Sequence, residues 1–324
     1  MALPSPEAAV PPSCSEWARS QGLDPAGSAG HYRGFVLVEQ RLPWPADASL
    51  VTELAEVSKV AAEAGFRLQL IAPVKGAGLA DEGESAPAGR ANGQRKVVCY
   101  RPSREGWSGE LVRSELTAPT PGLAAAVADL ISDGVRPAPA PGGTVVDVLV
   151  CAHGRRDACC GSRGTRFANE LVEQTLNAKD RVVRLWRTSH TGGHRFSPTA
   201  VVLPAATLWA YADRELLQAA VGAGTGPAGR AADHYRGCAT LGPPAAQALE
   251  RAVFAEVGWR LLAEERRTMG TGGGRLRLET QNCGTWEGTV KEGRRVPQPE
   301  CRTDPAAAKK YGVEWAVADL HRLS

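Results

Sequence analysis

The sequence lacks an excess of charge of either sign: 38 Lys and Arg stand against 35 Asp and Glu in 324 residues, a net charge of +3. A nucleic-acid-binding face needs concentrated basic charge, so this balance argues against nucleic acid as a partner. A run of about 18 apolar residues, the minimum for a membrane-spanning helix, is also missing. The opening stretch MALPSPEAAVPPSC has neither a basic segment nor an apolar one, so no secretory signal is visible and the expected location is the cytoplasm. Cysteine is sparse. Eight in 324 residues is too few for a disulfide scaffold, and no C-x-x-C redox motif occurs among them. Glycoside hydrolysis would need two carboxylates about 5–9.5 Å apart in a sugar-sized cleft, and the sequence offers no acidic pair placed for it. The remainder is ordinary for a soluble globular chain long enough for two or three domains, at 43% apolar and 23% charged residues.

The chemistry is gathered in CAHGRRDACCG, Cys151 to Gly161, and SHTGGHRFSPT, Ser189 to Thr199. Together they hold the thiols Cys151, Cys159 and Cys160 and the imidazoles His190 and His194, a metal site in outline. Cys151 and Cys160 are spaced C-x8-C, or C-x7-C if Cys159 is the ligand. Both are wider than the C-x2–4-C knuckle typical of structural zinc. A binuclear iron–sulfur cluster accepts wider loops, and two His replacing two Cys on one iron is the Rieske arrangement. Gly192 and Gly193 stand between the two imidazoles. Each glycine costs about 1 kcal/mol inside a helix, so the H-x3-H pair is expected on a loop wrapped closely around something. On residue type alone, cluster and zinc both remain open. His153 is expected to hold its loop through hydrogen bonds, with ligation as the alternative. Asp157 reads as a loop clasp or as a partner to a ligand imidazole. Arg195 and Phe196 are expected to pack around the site. Cys14, Cys99, Cys238, Cys283 and Cys301 have no partner spacing and read as buried small hydrophobes.

In chain order, Phe35 to Glu39 reads as a strand. Leu50, Leu54, Val57 and Ala61 recur at helical spacing, with Asp47 or Ser49 as cap and Gly65 as stop, and Leu68 to Ala72 is the next strand. After a Gly- and Ala-rich excursion over 74–94 come strands Lys96 to Arg101 and Glu110 to Thr117 and a helix from Gly122 to Ile131. Pro137 to Gly143 is a linker by composition. Past it the order repeats: a strand Val145 to Val150, a helix capped by Ser162, a strand Val182 to Arg187, a hairpin around Pro204 and a helix Arg214 to Val221. Both halves read βαβ then ββα, the thioredoxin order. The fold class is therefore α/β, with a diverged thioredoxin-like half over 1–136, a thioredoxin-like domain over 137–229 and a small α/β appendage over 230–324. The appendage is expected to hold a helix Pro243 to Val257, strands including Arg260 to Glu265, and a closing helix near Ala306 to Leu320. Pro198 opens the hairpin where thioredoxin folds keep a cis-proline, so it is predicted to be cis.

The pattern CxHGxRDxCCG followed by SHxGGHRFxPT resembles the sucrase/ferredoxin-like family of thioredoxin-like [2Fe-2S] proteins. The match is dense over residues 145–211, and Ala26 to Ala48 is similar to the family's opening. The resemblance implies a [2Fe-2S] cofactor held by Cys151, Cys160, His190 and His194, with Cys159 and His153 as alternates. It implies an electron carrier rather than a catalyst, serving a reductase and an acceptor protein; imidazole ligands with a free outer nitrogen would couple its reduction to proton uptake, and the charge balance and lack of an apolar run leave neither nucleic acid nor membrane as partner. Two rivals accompany it: a zinc-stabilised binding module, and the sucrose-hydrolysing enzyme that the family label suggests.

Overall fold

A computed structural model describes residues 12–74, 93–132, 144–222, 224–301 and 303–324. The linker 137–143 and most of the excursion 74–94 lie outside them. The chain opens with helix α1 (Cys14–Ser20), held at its start by a reciprocal Ser13/Glu16 capping box. Strand β1 (Gly34–Glu39), helix α2 (Ala55–Glu63) and strand β2 (Phe66–Pro73) follow, then β3 (Gln94–Arg101), β4 (Val112–Pro119) and α3 (Leu123–Ile131). The next stretch gives β5 (Thr144–Cys151), α4 (Thr165–Glu173), β6 (Arg181–Thr188), the hairpin β7 (Ala200–Leu203) and β8 (Thr207–Trp209), and α5 (Arg214–Val221). A short α6 (Ala231–His234) leads into β9 (Tyr235–Cys238) and α7 (Pro244–Val257). The chain ends in a four-stranded antiparallel sheet of β10 (Arg266–Gly272), β11 (Arg275–Thr280), β12 (Thr285–Pro297) and β13 (Tyr311–Arg322).

The first nine strands form one mixed sheet in the order β4-β3-β1-β2-β6-β5-β7-β8-β9. Within it β1 and β2 are parallel, β3 is antiparallel to β1, and β4 is antiparallel to β3. The second quartet repeats this order, with β5 parallel to β6, β7 antiparallel to β5 and β8 antiparallel to β7. The quartets meet where β2 pairs antiparallel with β6 over Ile71, Ala72 and Pro73. The fold is α/β, as the alternation of elements implies. The central strands read as near-continuous Val/Leu runs, because in the middle of such a sheet side chains on both faces are covered; β5, with Val146, Val148, Leu149 and Val150 all buried, is the clearest case. From residue 230 on the chain divides between the two sheets, β9 joining the larger one and β10 to β13 forming the smaller.

One buried carboxylate ties the quartets together. Asp147, in the middle of β5, accepts from Trp186 Nε1 at 2.6 Å, from Arg113 Nε at 3.1 Å and from the Tyr100 hydroxyl. Arg113 passes charge on to Glu115, which also meets Arg184 at 2.7 Å and Lys96 at 3.5 Å. Burial pushes the Glu115 carboxyl up, but the Arg113 contact, with Lys96 and Arg184, overcomes this and holds it at about 2. A carboxyl lowered in the folded state adds stability above its unfolded pKa of about 4.3 and loses it as the pH falls toward the folded value. Glu115→Gln is therefore expected to be destabilised relative to the wild type in urea at pH 7, and the gap should close between pH 4.5 and pH 2.5. A gap that persists at the acid end would mean the carboxylate charge is not what the pair contributes.

Two expectations fail in the C-terminal region. The closing helix near 306–320 is strand β13, preceded only by a 3-10 turn Pro305–Ala307. Val313, Trp315 and Val317 alternate at period two and pair with β12, and that alternation outweighs the helix-favouring alanines. The expected strand 260–265 is a 3-10 turn, Trp259–Ala263, closing α7, and the strand begins at Arg266. The Ser197–Pro198 peptide is cis, as predicted. No helix among the described residues is long and apolar enough to cross a membrane.

Candidate metal centre

Cys151 is the last residue of β5, and β6 ends at Thr188, its parallel neighbour. Two adjacent parallel strands thus deliver the segments 152–161 and 189–196 to one edge, where sites form in open α/β sheets. The first segment turns straight into α4 through a π-helical turn, Cys160–Gly164. Ser162 does not cap it, and its hydroxyl donates to the Ala158 carbonyl at 2.8 Å. A side chain at Gly164 would strike the Cys151 carbonyl at 1.8 Å, so only glycine lets this turn lie against the end of β5. The second segment is a loop ending in a 3-10 turn, His194–Phe196, with Gly192 and Gly193 at φ +78° and +67°. As the glycines imply, the histidine pair is not helical.

The adjacent cysteines point to different neighbours. Cys160 and Cys151, both buried, face each other, and Cys151 also faces His190 and the Thr191 N–H. In this geometry the Cys160 hydrogen bond and His190 draw the Cys151 thiol well below its ordinary pKa, while the same bond and burial push Cys160 up. Cys159 faces the other way. Its sulfur lies 3.1 Å from Cys14 and 3.3 Å from Cys301, and Cys14 and Cys301 are 3.2 Å apart. Cys14, His194 and Cys301 bring one ligand atom each within 4.8 Å of one another, a group able to hold a metal ion.

Asp157 sits between the two imidazoles. Its Oδ2 is 2.8 Å from His190 Nδ1 and its Oδ1 3.1 Å from His194 Nδ1, and the ring centroids are 6.3 Å apart. His190 Nδ1 and Asp157 Oδ2 are buried without an aligned hydrogen bond, so the contact is one of charge rather than of directed bonding. Burial alone would lower the His190 imidazole, but Asp157 and Cys151 lift it to about 9. His153 is occupied elsewhere, its Nε2 at 2.7 Å from the Pro45 carbonyl and its Nδ1 accepting from the His190 N–H at 3.1 Å. It holds the histidine loop in place, as expected.

Arg236 on β9 escapes any reading of spacing or motif. It is fully buried beneath the loop, with Nη1 on the Gly192 carbonyl at 3.1 Å and Nε on Ser28 Oγ at 3.0 Å. A Cβ at Gly193 would lie 2.6 Å from its Nη2, so the glycine makes room for the guanidinium. Burial, with the charge of Arg195, pushes Arg236 down to about 10, which still leaves a fixed positive charge behind the site at neutral pH. Arg195, the cation expected at the site, stacks on Phe196 at 4.4 Å.

Two loops at one sheet edge, carrying thiols, imidazoles and a carboxylate around a buried cation, form a candidate metal site on an α/β fold. The family model for sucrase/ferredoxin-like proteins matches residues 25–237, and the chain belongs to that family. No curated protein and no solved structure matches it.

Proposed function

We propose that the protein is an electron carrier holding a [2Fe-2S] cluster through Cys151, Cys160, His190 and His194. The observation that carries this reading is the divergence of the two adjacent thiols, since Cys160 turns to Cys151, which itself faces His190, while Cys159 turns away. Two thiolates and two imidazoles from two loops suit the donor set of a mixed Cys/His cluster. When bound, the cluster takes up and releases one electron at a time. The common strand order of the two quartets supports taking both as thioredoxin-like units, the first a diverged copy without ligands. Beside the proposed cluster no observation speaks for sugar hydrolysis. The groove of about 420 Å³ beside His190 is lined by Arg67, Arg156 and His31 with Asp47 as its one acid, where that chemistry needs two.

The chain's own residues then have defined work. Asp157 holds the Nδ1 side of both rings, the arrangement by which a carboxylate orients ligating imidazoles and raises their basicity. The His190 and His194 side chains are each about one-fifth exposed, although His190 Nδ1 itself is buried against Asp157. The Thr191 N–H and the buried Arg236 place positive charge near the sulfurs, which favours the reduced form.

Anaerobically purified protein should be reddish-brown, with iron and sulfide in equal amounts; colourless protein containing zinc alone would sink the carrier and favour the binding module. The midpoint is expected above the roughly −400 mV of plant-type ferredoxins, because two neutral ligands replace two anionic ones. It should fall with rising pH by up to about 59 mV per unit, the value for one proton per electron. Asp157→Asn removes the charge that holds those protons, so the fall should begin at lower pH with the cluster retained. An unchanged profile would place the titrating proton away from the Asp157 side.

A further inference from the structure

We propose that Cys14, Cys159 and Cys301 bind a second metal ion, a soft divalent ion of the zinc class, beside the cluster and independent of it. The three sulfurs form a nearly equilateral triangle with sides of 3.1, 3.2 and 3.3 Å. They come from segments 142 to 287 residues apart, one at the start of α1, one in the loop after β5 and one between β12 and β13. Two of the three, Cys14 and Cys301, lie outside the residues matched by the family model, so the site is no part of that match.

Thiols buried for packing sit among apolar side chains. Here each sulfur faces two others instead, and S–H groups are weak donors and acceptors that gain little from such contact. A disulfide accounts for the triangle poorly, since it would join two sulfurs at about 2.05 Å and leave the third without a partner. A tetrahedral ion with Zn–S bonds of about 2.3 Å needs sulfurs about 3.8 Å apart, so each must move outward by roughly a third of an ångström. The surroundings suit a bound thiolate. The Ser15 N–H lies beside the Cys159 sulfur. A ring nitrogen of His194 lies within 4.8 Å of Cys14 and Cys301; with that imidazole assigned to the cluster, the fourth position of the ion is left to water.

Such an ion would act as a staple. It would pin α1 and the connection after β12 over the loop that carries Cys160, adding to a small satellite core of Ala18, Leu23, Phe196, Ala210 and Val296 and to the Arg163–Glu16 ion pair. Because an ion of this kind binds the folded arrangement and not the unfolded chain, it adds its binding free energy to local order.

The test is metal analysis of the full chain purified anaerobically with iron and zinc in the medium. About one zinc per chain is expected beside the iron of the cluster. Cys14→Ala combined with Cys301→Ala should lose the zinc, keep the iron and the visible spectrum, and exchange the amides of 14–20 faster. Cys151→Ser should do the reverse, losing iron and keeping zinc. Should the double variant fail to fold, Co(II) added to the metal-free wild type in the same buffer must raise an intense thiolate-to-cobalt band in the near ultraviolet. Zinc retained in the double variant, no zinc or cobalt bound by the wild type, or a disulfide between any two of the three found in the anaerobic protein would each overturn the proposal. Zinc without iron would instead overturn the cluster and leave the second site standing.

Discussion

Cys151→Ser and Cys160→Ser should each yield colourless protein with no cluster iron, while Cys159→Ser should keep the full visible spectrum. The expected contrast is nearly all-or-none between neighbouring residues of one chain. Iron in a cluster of this kind is held by thiolates, which supply charge that a serine hydroxyl at neutral pH cannot. Cys151 and Cys160 face each other in the interior and Cys151 also faces His190, whereas Cys159 is turned to Cys14 and Cys301. Cys159 already has two sulfur neighbours on its far side, so its removal leaves the inner group untouched. His190→Cys and His194→Cys form the complementary pair. Thiolates also ligate iron, so these variants should hold a cluster, but at a lower potential because an added anionic ligand favours the oxidised form. A colourless Cys159→Ser beside a coloured Cys160→Ser would exchange the roles of the two thiols.

The inner half of this site was legible in the sequence because its geometry is local. Cys151 ends a strand, Cys160 starts the next helical turn, and Gly192-Gly193 forces the histidine pair onto a loop; each follows from chain direction and backbone conformation within ten residues. The repeat of βαβ and ββα was legible for the same reason, since hydrophobic period and turn residues report on neighbours in the chain. The convergence of Cys14, Cys159 and Cys301 was not. It depends on where the end of β12 folds back relative to α1, a separation of 287 residues that no spacing rule spans. Reading Cys14 and Cys301 as inert core thiols was the natural result of seeing each alone. Arg236 escaped for a related reason, since an arginine in YRGC looks solvated until β9 is known to be an edge strand passing under the loop. The failure at β13 is different in kind. Ala306, Ala307 and Ala308 favour a helix locally, but the residues after them alternate and find an open edge of β12, and tertiary pairing overrides propensity.

Glu250→Ala is expected to cost about 3–5 kcal/mol in urea unfolding, the largest stability loss of any single substitution considered for this chain. Glu250 on α7 and Arg266 on β10 are both fully buried and meet at 2.6 Å. The second carboxylate oxygen accepts the Cys238 N–H at 2.9 Å, and Arg266 Nη1 donates to the Glu264 carbonyl at 2.8 Å. Burial alone would push the Arg266 guanidinium down, but Glu250 holds it above its ordinary value, so the arginine stays charged. Removing the carboxylate therefore strands a charge in the interior, with Arg266 Nη2 already lacking a partner. It also leaves the β9 amide unbonded. Replacing both members by apolar residues of similar volume, Glu250→Leu with Arg266→Met, should recover most of the loss, because the desolvation cost of both charges disappears with them. The effect should reach the metal centre through β9, which carries Arg236 under the histidine loop. In the single variant, iron should be bound at low temperature but released on heating at a lower temperature than in the wild type, and the double variant should restore it. Costs that simply add in the double variant would show that packing around α7, not the stranded charge, sets the stability of this junction.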